Sequence, residues 1–295
     1  MQQSVIEDII YFIRSKFEQI DFVPLHAPSF QGKEKKYLLD TIDSTFVSSV
    51  GEYVDRFEDM MAELTQSKKA VAVVNGTSAL QVALRLAGVK TGEEVLTQAL
   101  TFVATANAIA YNHAHPVFLD VDLDTMGLSP DALSSFLESC GEKREDGAYN
   151  KTSGRRIAAC LPMHTFGFMA HMEPILSICE EWNIPIVEDA AEALGSAYRE
   201  RPAGSMGLLG TFSFNGNKII TCGGGGAMVT QNENLGKWGK HLTTTAKRPH
   251  AWEYVHDELG YNFRMPNLNA ALACAQLEQM TEKKRQKQEL FEAYE

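Results

Sequence analysis

The chain is 295 residues long, 44% hydrophobic and 22% charged, which fits a globular protein of one large domain or two small ones. Its formal net charge of -11 argues against a general binder of nucleic acid or of membrane surfaces, because attraction to phosphate needs clustered Lys and Arg. Five cysteines, Cys140, Cys160, Cys179, Cys222 and Cys274, form no CxxC pair, which points to scattered buried thiols in a reducing cytoplasm rather than to disulfides or a zinc ribbon.

The N-terminus has no basic region followed by an apolar run, so no secretory signal is predicted. No segment approaches the roughly 20 apolar residues of a membrane span. The eight histidines show no close ligand spacing, and no metal site is assigned.

Residues 4–19 place apolar side chains at helical spacing, which predicts an amphipathic helix packed on the body or on a partner subunit. A proline-punctuated link follows at 22–29, then helical patterns at 31–44 and 52–66. From residue 70 the pattern alternates. The apolar run Ala70-Val-Ala-Val-Val74 reads as a buried parallel strand, followed by a helix at 79–87. Strands are predicted at 94–98, 116–121, 156–161 and 184–188, with helices at 101–112, 130–139 and 172–182 between them. The polar stretch 141–155 reads as a surface loop. Short strands at 211–214 and 227–230 and helices at 232–245 and 266–294 complete the chain. Alternating strands and helices predict an α/β fold: three α/β/α layers around a mainly parallel central sheet. The expected division is an N-terminal helical extension (1–21), a large domain (22–260) and the start of a C-terminal region (261–295).

Three stretches carry chemistry. In Asn75-Gly76-Thr77-Ser78 a strand turns through glycine into a helix, a setting whose N–H groups and dipole suit a phosphate. Ser and Thr are also ordinary helix caps. In Ile186-Val-Glu-Asp-Ala-Ala-Glu192, Asp189 ends an apolar strand, where open α/β sheets bind ligands. Its partner is either the next helix or a protonated heterocyclic nitrogen. In the third stretch Ser213 ends a strand, Lys218 follows, and Gly223–Gly226 either admit a flat ligand or form a plain turn.

Together these supply what pyridoxal phosphate demands: a phosphate cradle, an acid for the ring nitrogen and a lysine for the aldehyde. Phe102, in Leu100-Thr-Phe-Val-Ala-Thr105, is placed to lie against the ring.

These motifs, with Pro-Val-Phe-Leu-Asp-Val-Asp (116–122), Gly-Thr-Phe-Ser-Phe (210–214) and Tyr-Asn-Phe-Arg-Met (261–265), resemble the DegT/DnrJ/EryC1/StrS sugar aminotransferases, of type I fold. The resemblance covers nearly all of residues 22–295. Within the family, the N-terminal extension and the glycine run resemble the transaminases of UDP-4-keto-6-deoxy-N-acetylhexosamines of the legionaminic acid and bacillosamine pathways.

The resemblance implies that Lys218 holds the cofactor aldehyde and Asp189 pairs with the pyridine nitrogen. It places Phe102 on the ring and Gly76, Thr77, Ser78 and Ser213 at the phosphate. Asn262 would reach the cofactor of the neighbouring subunit, so a homodimer with a shared site is implied. L-glutamate would be the donor and a UDP-linked 4-ketosugar the acceptor.

Where many relatives carry Gln or His, Glu192 puts a carboxylate beside the cofactor's phenolic oxygen. Such a group must be protonated or hydrogen-bonded elsewhere. Relatives also continue into a small C-terminal domain, so a truncated, non-catalytic cofactor binder or regulator is a second reading. A dehydratase of the same cofactor is a third, and Lys218 speaks against it, since such relatives carry histidine there. His164 and Arg264 read equally as pocket or structural residues.

Overall fold

A computed structural model describes residues 2–16, 22 and 26–293. Helix α1 (Gln2–Ser15) stands alone at the N-terminus. Its apolar residues Val5, Ile6, Ile9 and Phe12 remain exposed, so the described body does not bury this face, contrary to one of the two expected packings. Residues 17–19 of the predicted helix, and 23–25 of the link after it, lie outside the described residues.

Helices α2 (Glu34–Asp43) and α3 (Glu52–Leu64) lead into β1 (Lys69–Val73), α4 (Gly76–Leu86), β2 (Glu94–Gln98), α5 (Val103–Tyr111), β3 (His115–Leu119) and α6 (Pro130–Cys140). A hairpin of β4 (Gly141–Arg144) and β5 (Gly147–Asn150) precedes β6 (Arg156–Leu161), α7 (Met172–Glu181) and β7 (Val187–Asp189). The two-residue strands β8 (Ala197–Tyr198) and β9 (Arg201–Pro202) pair with each other. Then come β10 (Leu209–Ser213), β11 (Gly226–Thr230), α8 (Glu233–Thr243), α9 (Asn267–Leu277) and α10 (Met280–Glu292).

The main strands run in the order β3-β2-β6-β7-β10-β11-β1. Single parallel bridges, Cys160 with Ile186 and Met163 with Asp189, join β6 to β7. Only β11 runs against the rest, so β1, predicted as a parallel strand, makes its ladder antiparallel. An apolar run reports burial on both faces; it does not report the direction of the neighbour.

Side-chain alternation builds the layers. Ala70 and Ala72 of β1, Phe212 of β10 and Ala227 and Val229 of β11 face α3 and α9 in one core. Val71, Val73, Leu209 and Met228 face the opposite way, into a core shared with α4, α5 and α8. A third cluster packs α6 and α7 on β2 and β6. This is the three-layer α/β/α arrangement expected from the sequence.

Two local readings are corrected. Residues 141–150 form the β4–β5 hairpin, not a loop, and β5 pairs with the start of β6. Its edge strand β4 is charged, and neither strand shows apolar alternation. Register comes instead from polar contacts, with Asn150 Nδ2 donating to Glu94 Oε2 at 2.9 Å and Arg144 stacked on Tyr149. The predicted helix 266–294 is two helices within the described residues. The Gln279 N–H bonds to Gln276 O and ends the α-helical pattern, and both glutamine side chains donate to Glu34 Oε1. Residue 294 lies outside the described residues.

Four of the five cysteines are buried and all are unbridged; burial pushes the Cys222 thiol up to about 12. No helix of the described residues is long and apolar enough to cross a membrane.

Candidate active site

The carboxyl ends of β1, β2, β6, β7 and β10 lie on one side of the sheet, because these strands are mutually aligned. Asp189, Ser213, the Asn75–Ser78 turn and the Gln98–Phe102 loop therefore gather there.

Helix α4 begins with Asn75 as its cap, the side chain accepting the Ser78 N–H at 2.8 Å. The cap expected of Thr77 or Ser78 is thus supplied by Asn75, two residues before Thr77. Ser213, at the end of β10, lies against the same turn: a Cβ built on Gly76 would sit 2.8 Å from Ser213 Cβ and 3.3 Å from its Oγ. Among the described residues the hydroxyls of Thr77, Ser78 and Ser213 have no hydrogen-bond partner. Three hydroxyls and the positive end of a helix form an anion cradle.

Two glycines of the run serve this turn. A Cβ on Gly226 would overlap Asn75 C and O at 2.4 Å, and one on Gly225 would meet Cys222 Sγ at 2.5 Å. Gly226 therefore lets β11 pass beneath the Asn75–Gly76 backbone.

Asp189 is 3% exposed. Its Oδ2 accepts from Thr105 Oγ1 at 2.8 Å and its Oδ1 from the Ala191 N–H at 3.2 Å. Among the described residues it has no ion-pair partner. Burial pushes its pKa above the ordinary carboxylate value; the Thr105 hydroxyl, the Ala191 N–H, His164 and Lys218 pull it back.

Lys218 sits in the turn after β10, its N–H bonded to Asn215 O. Its ammonium donates to Glu192 Oε1 at 3.2 Å, both side chains being largely shielded. Glu192 Oε2 accepts the Phe166 N–H at 2.9 Å. The carboxylate flagged in the sequence is thus held by a cation and a backbone donor. Phe166 itself adopts a left-handed backbone (φ 53°, ψ 20°) within the 3₁₀ turn Thr165–Gly167, and Glu192 anchors that turn.

A cleft of 1120 Å³ opens from this pair, lined also by Phe166, Phe168, Lys284 and Phe291. Asp189, Phe102 and the cradle hydroxyls lie outside its lining. Phe102 stands at the start of α5 and is 66% exposed. Asn262 is not drawn into the cluster. It is exposed on the strip beside β1, where it accepts from Arg264 Nε at 3.1 Å.

His164 is structural. It is fully buried, its Nδ1 accepts the Ala170 N–H, and its Nε2 therefore donates to Glu188 Oε2 at 3.1 Å. Glu188 also accepts the N–H groups of Gly204, Met206 and Gly207, so the pair ties two loops to β7.

Three residues at this end of the sheet were not singled out from the sequence. Thr105 binds Asp189, and Thr101 binds Thr105. Gln98 is fully buried, and its amide joins Leu100, Met126, Leu128, Met163 and Thr165. The Thr101 and Thr105 spacing of four residues was the available signal for the first two.

A shielded lysine, a buried acid and three hydroxyls at a helix N-terminus, all at the carboxyl ends of an α/β sheet, are what the sequence led us to expect of a pyridoxal phosphate-dependent aminotransferase. The comparisons give the family. The model of the DegT/DnrJ/EryC1/StrS aminotransferase family matches residues 28–295, and the chain belongs to that family. A Bacillus subtilis (strain 168) protein named as a pyridoxal phosphate-dependent aminotransferase, EpsN, is 39% identical over 92% of this chain and 67% of its own length. The GDP-perosamine synthase of Escherichia coli O157:H7 is 38% identical over 92% of this chain and 70% of its own. The X-ray structure of an aminotransferase from Psychrobacter cryohalolentis superimposes with a TM-score of 0.77 at 30% identity, over 88% of this chain and 64% of that one. The fold is the type I fold of these aminotransferases. The chain spans about two thirds of the length of the relatives it matches.

Proposed function

We propose that this chain transfers an amino group from L-glutamate to the 4-keto group of a nucleotide-linked sugar. Residues 22–260 are read as the cofactor-binding domain. The observation that supports this best is Asp189, a buried carboxylate with two hydrogen-bond donors and no cation paired to it among the described residues. A protonated ring nitrogen is the partner such a carboxylate lacks. The cradle fits the cofactor's phosphate for the same kind of reason: three hydroxyls without partners, and no room for a Cβ at Gly76.

Pyridoxal phosphate, when bound, supplies an electron sink that acidifies the Cα–H of an amino acid. The chain's own residues do the rest. Lys218 provides the amine that holds the aldehyde and, once free, the base that carries a proton. Asp189 keeps positive charge on the ring nitrogen. Thr77, Ser78 and Ser213 hold the phosphate, with Gly76 giving the backbone room. Phe102 covers the ring face. Glu192, bonded to both Lys218 and Phe166, holds the ammonium in the wall of the cleft.

Exposed Asn262 fits a role toward the cofactor of a second subunit, and the uncovered apolar face of α1 fits a partner surface. We read the functional unit as a homodimer on these grounds.

The nucleotide is UDP in our reading, from the N-terminal extension and the glycine run. The similarity to GDP-perosamine synthase favours a GDP-linked 4-ketosugar as the second reading. The test is a half-reaction followed by an acceptor panel. Cofactor-loaded protein given L-glutamate should release one equivalent of 2-oxoglutarate and then aminate a UDP-linked 4-keto-6-deoxy-N-acetylhexosamine. Amination of the GDP-linked ketosugar alone selects the second reading. Cofactor colour with no 2-oxoglutarate refutes transamination by this chain.

A further inference from the structure

Asp189 is not held alone. Thr105 Oγ1 lies 2.8 Å from its Oδ2, and Thr101 Oγ1 lies 2.6 Å from Thr105 Oγ1. Chemistry fixes the direction of this chain. An ionised carboxylate only accepts, so the single Thr105 proton points at Asp189. The Thr105 oxygen then accepts the proton of Thr101. Thr105 is fully buried and Thr101 half-buried, so the two hydroxyls run from the edge of the protein to an interior acid.

The same two residues bracket Phe102. The Thr105 N–H bonds to Phe102 O at 3.0 Å and starts α5. The hydroxyl chain and the first turn of the helix are therefore one rigid unit.

We propose that Thr101 and Thr105 are positioning residues for Asp189, a two-hydroxyl chain that keeps its carboxylate ionised and aimed at the ring nitrogen. The proposal rests on the reading of Asp189 given above. It goes beyond that reading in assigning the acid's charge state to two residues that touch neither the cofactor nor the substrate.

Two other titratable groups act on Asp189. Lys218 and His164 both favour its charge from beyond contact distance. Glu188 precedes it on β7 but is bonded to His164 and three backbone N–H groups. Among the described residues only Thr105 and the Ala191 N–H bond to the carboxylate, and of these the threonine hydroxyl can be removed without changing the backbone. Burial drives Asp189 toward its neutral form, and Thr105 leads the groups that oppose it.

The test uses the cofactor-free protein labelled with ¹³C-aspartate, read by the infrared carboxyl bands as a difference from Asp189→Asn. Thr105→Val should move the Asp189 midpoint upward by about one pH unit, a tenfold change in its ionisation constant. Thr105→Ser, which restores the donor, should return it to the wild-type value. Thr101→Val, at a half-buried site, should move it the same way by less; if Thr105→Val does not fold, this variant decides.

With cofactor bound, its absorbance titration should shift in Thr105→Val and recover in Thr105→Ser. An unmoved midpoint in the valine variants, or a serine variant shifted like valine, overturns the proposal. Cofactor affinity and absorbance unchanged in Asp189→Asn would instead overturn the ring-nitrogen reading, while the infrared titration still decides the threonine chain.

Discussion

Replacing Gly76 with alanine tests the phosphate cradle at a single atom. The new Cβ would stand 2.8 Å from Ser213 Cβ, 3.3 Å from its Oγ and 3.4 Å from Phe212 O. Ordinary carbon contacts are about 3.8 Å, so Ser213 or the turn must move by roughly 1 Å. Neither moves freely: Ser213 pairs with Gly226 in the β10–β11 ladder, and Gly226 is pressed against Asn75. Overpacking of this kind costs about 1–3 kcal/mol. Borne by the cradle, that weakens cofactor binding by about tenfold to a hundredfold. The assay is a cofactor titration followed by absorbance, with circular dichroism to confirm the fold. Gly224→Ala is the control, since a Cβ there meets only Val74 O at 3.9 Å. Wild-type affinity in Gly76→Ala, or equal losses in both variants, would refute the geometric argument.

Two further outcomes follow from buried charge. His164→Ala leaves Glu188 without its side-chain donor and the Ala170 N–H without an acceptor, both inside the protein. Denaturant unfolding should show a loss of about 2–4 kcal/mol, with cofactor affinity changed much less. Burial raises the Asp189 pKa above its ordinary 3.8, so the folded state holds that proton more tightly than the unfolded state does. The stability this contributes to the cofactor-free protein is complete below pH 3.8 and is lost as pH rises through the folded value. Asp189→Asn should remove that slope from a stability–pH profile; an unchanged slope would show that Asp189 is not its source.

Much of this was legible in the sequence because burial on both sheet faces writes itself as short apolar runs. Ala70–Val74 and Ile184–Glu188 show this plainly, and the layers followed from them. Strand direction was not legible, since β11 is as apolar as the strands it runs against and its reversal depends on a turn spanning the lysine and the glycines. The β4–β5 hairpin was hidden because polar pairs, not apolar alternation, fix its register.

At the site, Asp189, Lys218 and the cradle were readable because each residue type has a chemical purpose at a strand end. Their support was harder to read. Thr105 behind the acid and Gln98 beneath three loops reach partners more than sixty residues away in the chain, whereas the Asn75 cap is a local contact with Ser78. The glycine run was legible as a need for space but not for what fills it, which at Gly226 is the Asn75–Gly76 backbone and at Gly225 the Cys222 and Met265 side chains.

The central claim is that the cofactor joins the chain at Lys218. Borohydride reduction of the cofactor-loaded protein, followed by peptide mass spectrometry, reads this directly, because reduction fixes the pyridoxyl group to whichever amine holds it. The label should fall on the peptide containing Lys218 and vanish in Lys218→Ala. A label on Lys284 or Lys287, which line the same cleft, with Lys218 unmodified, would contradict the account.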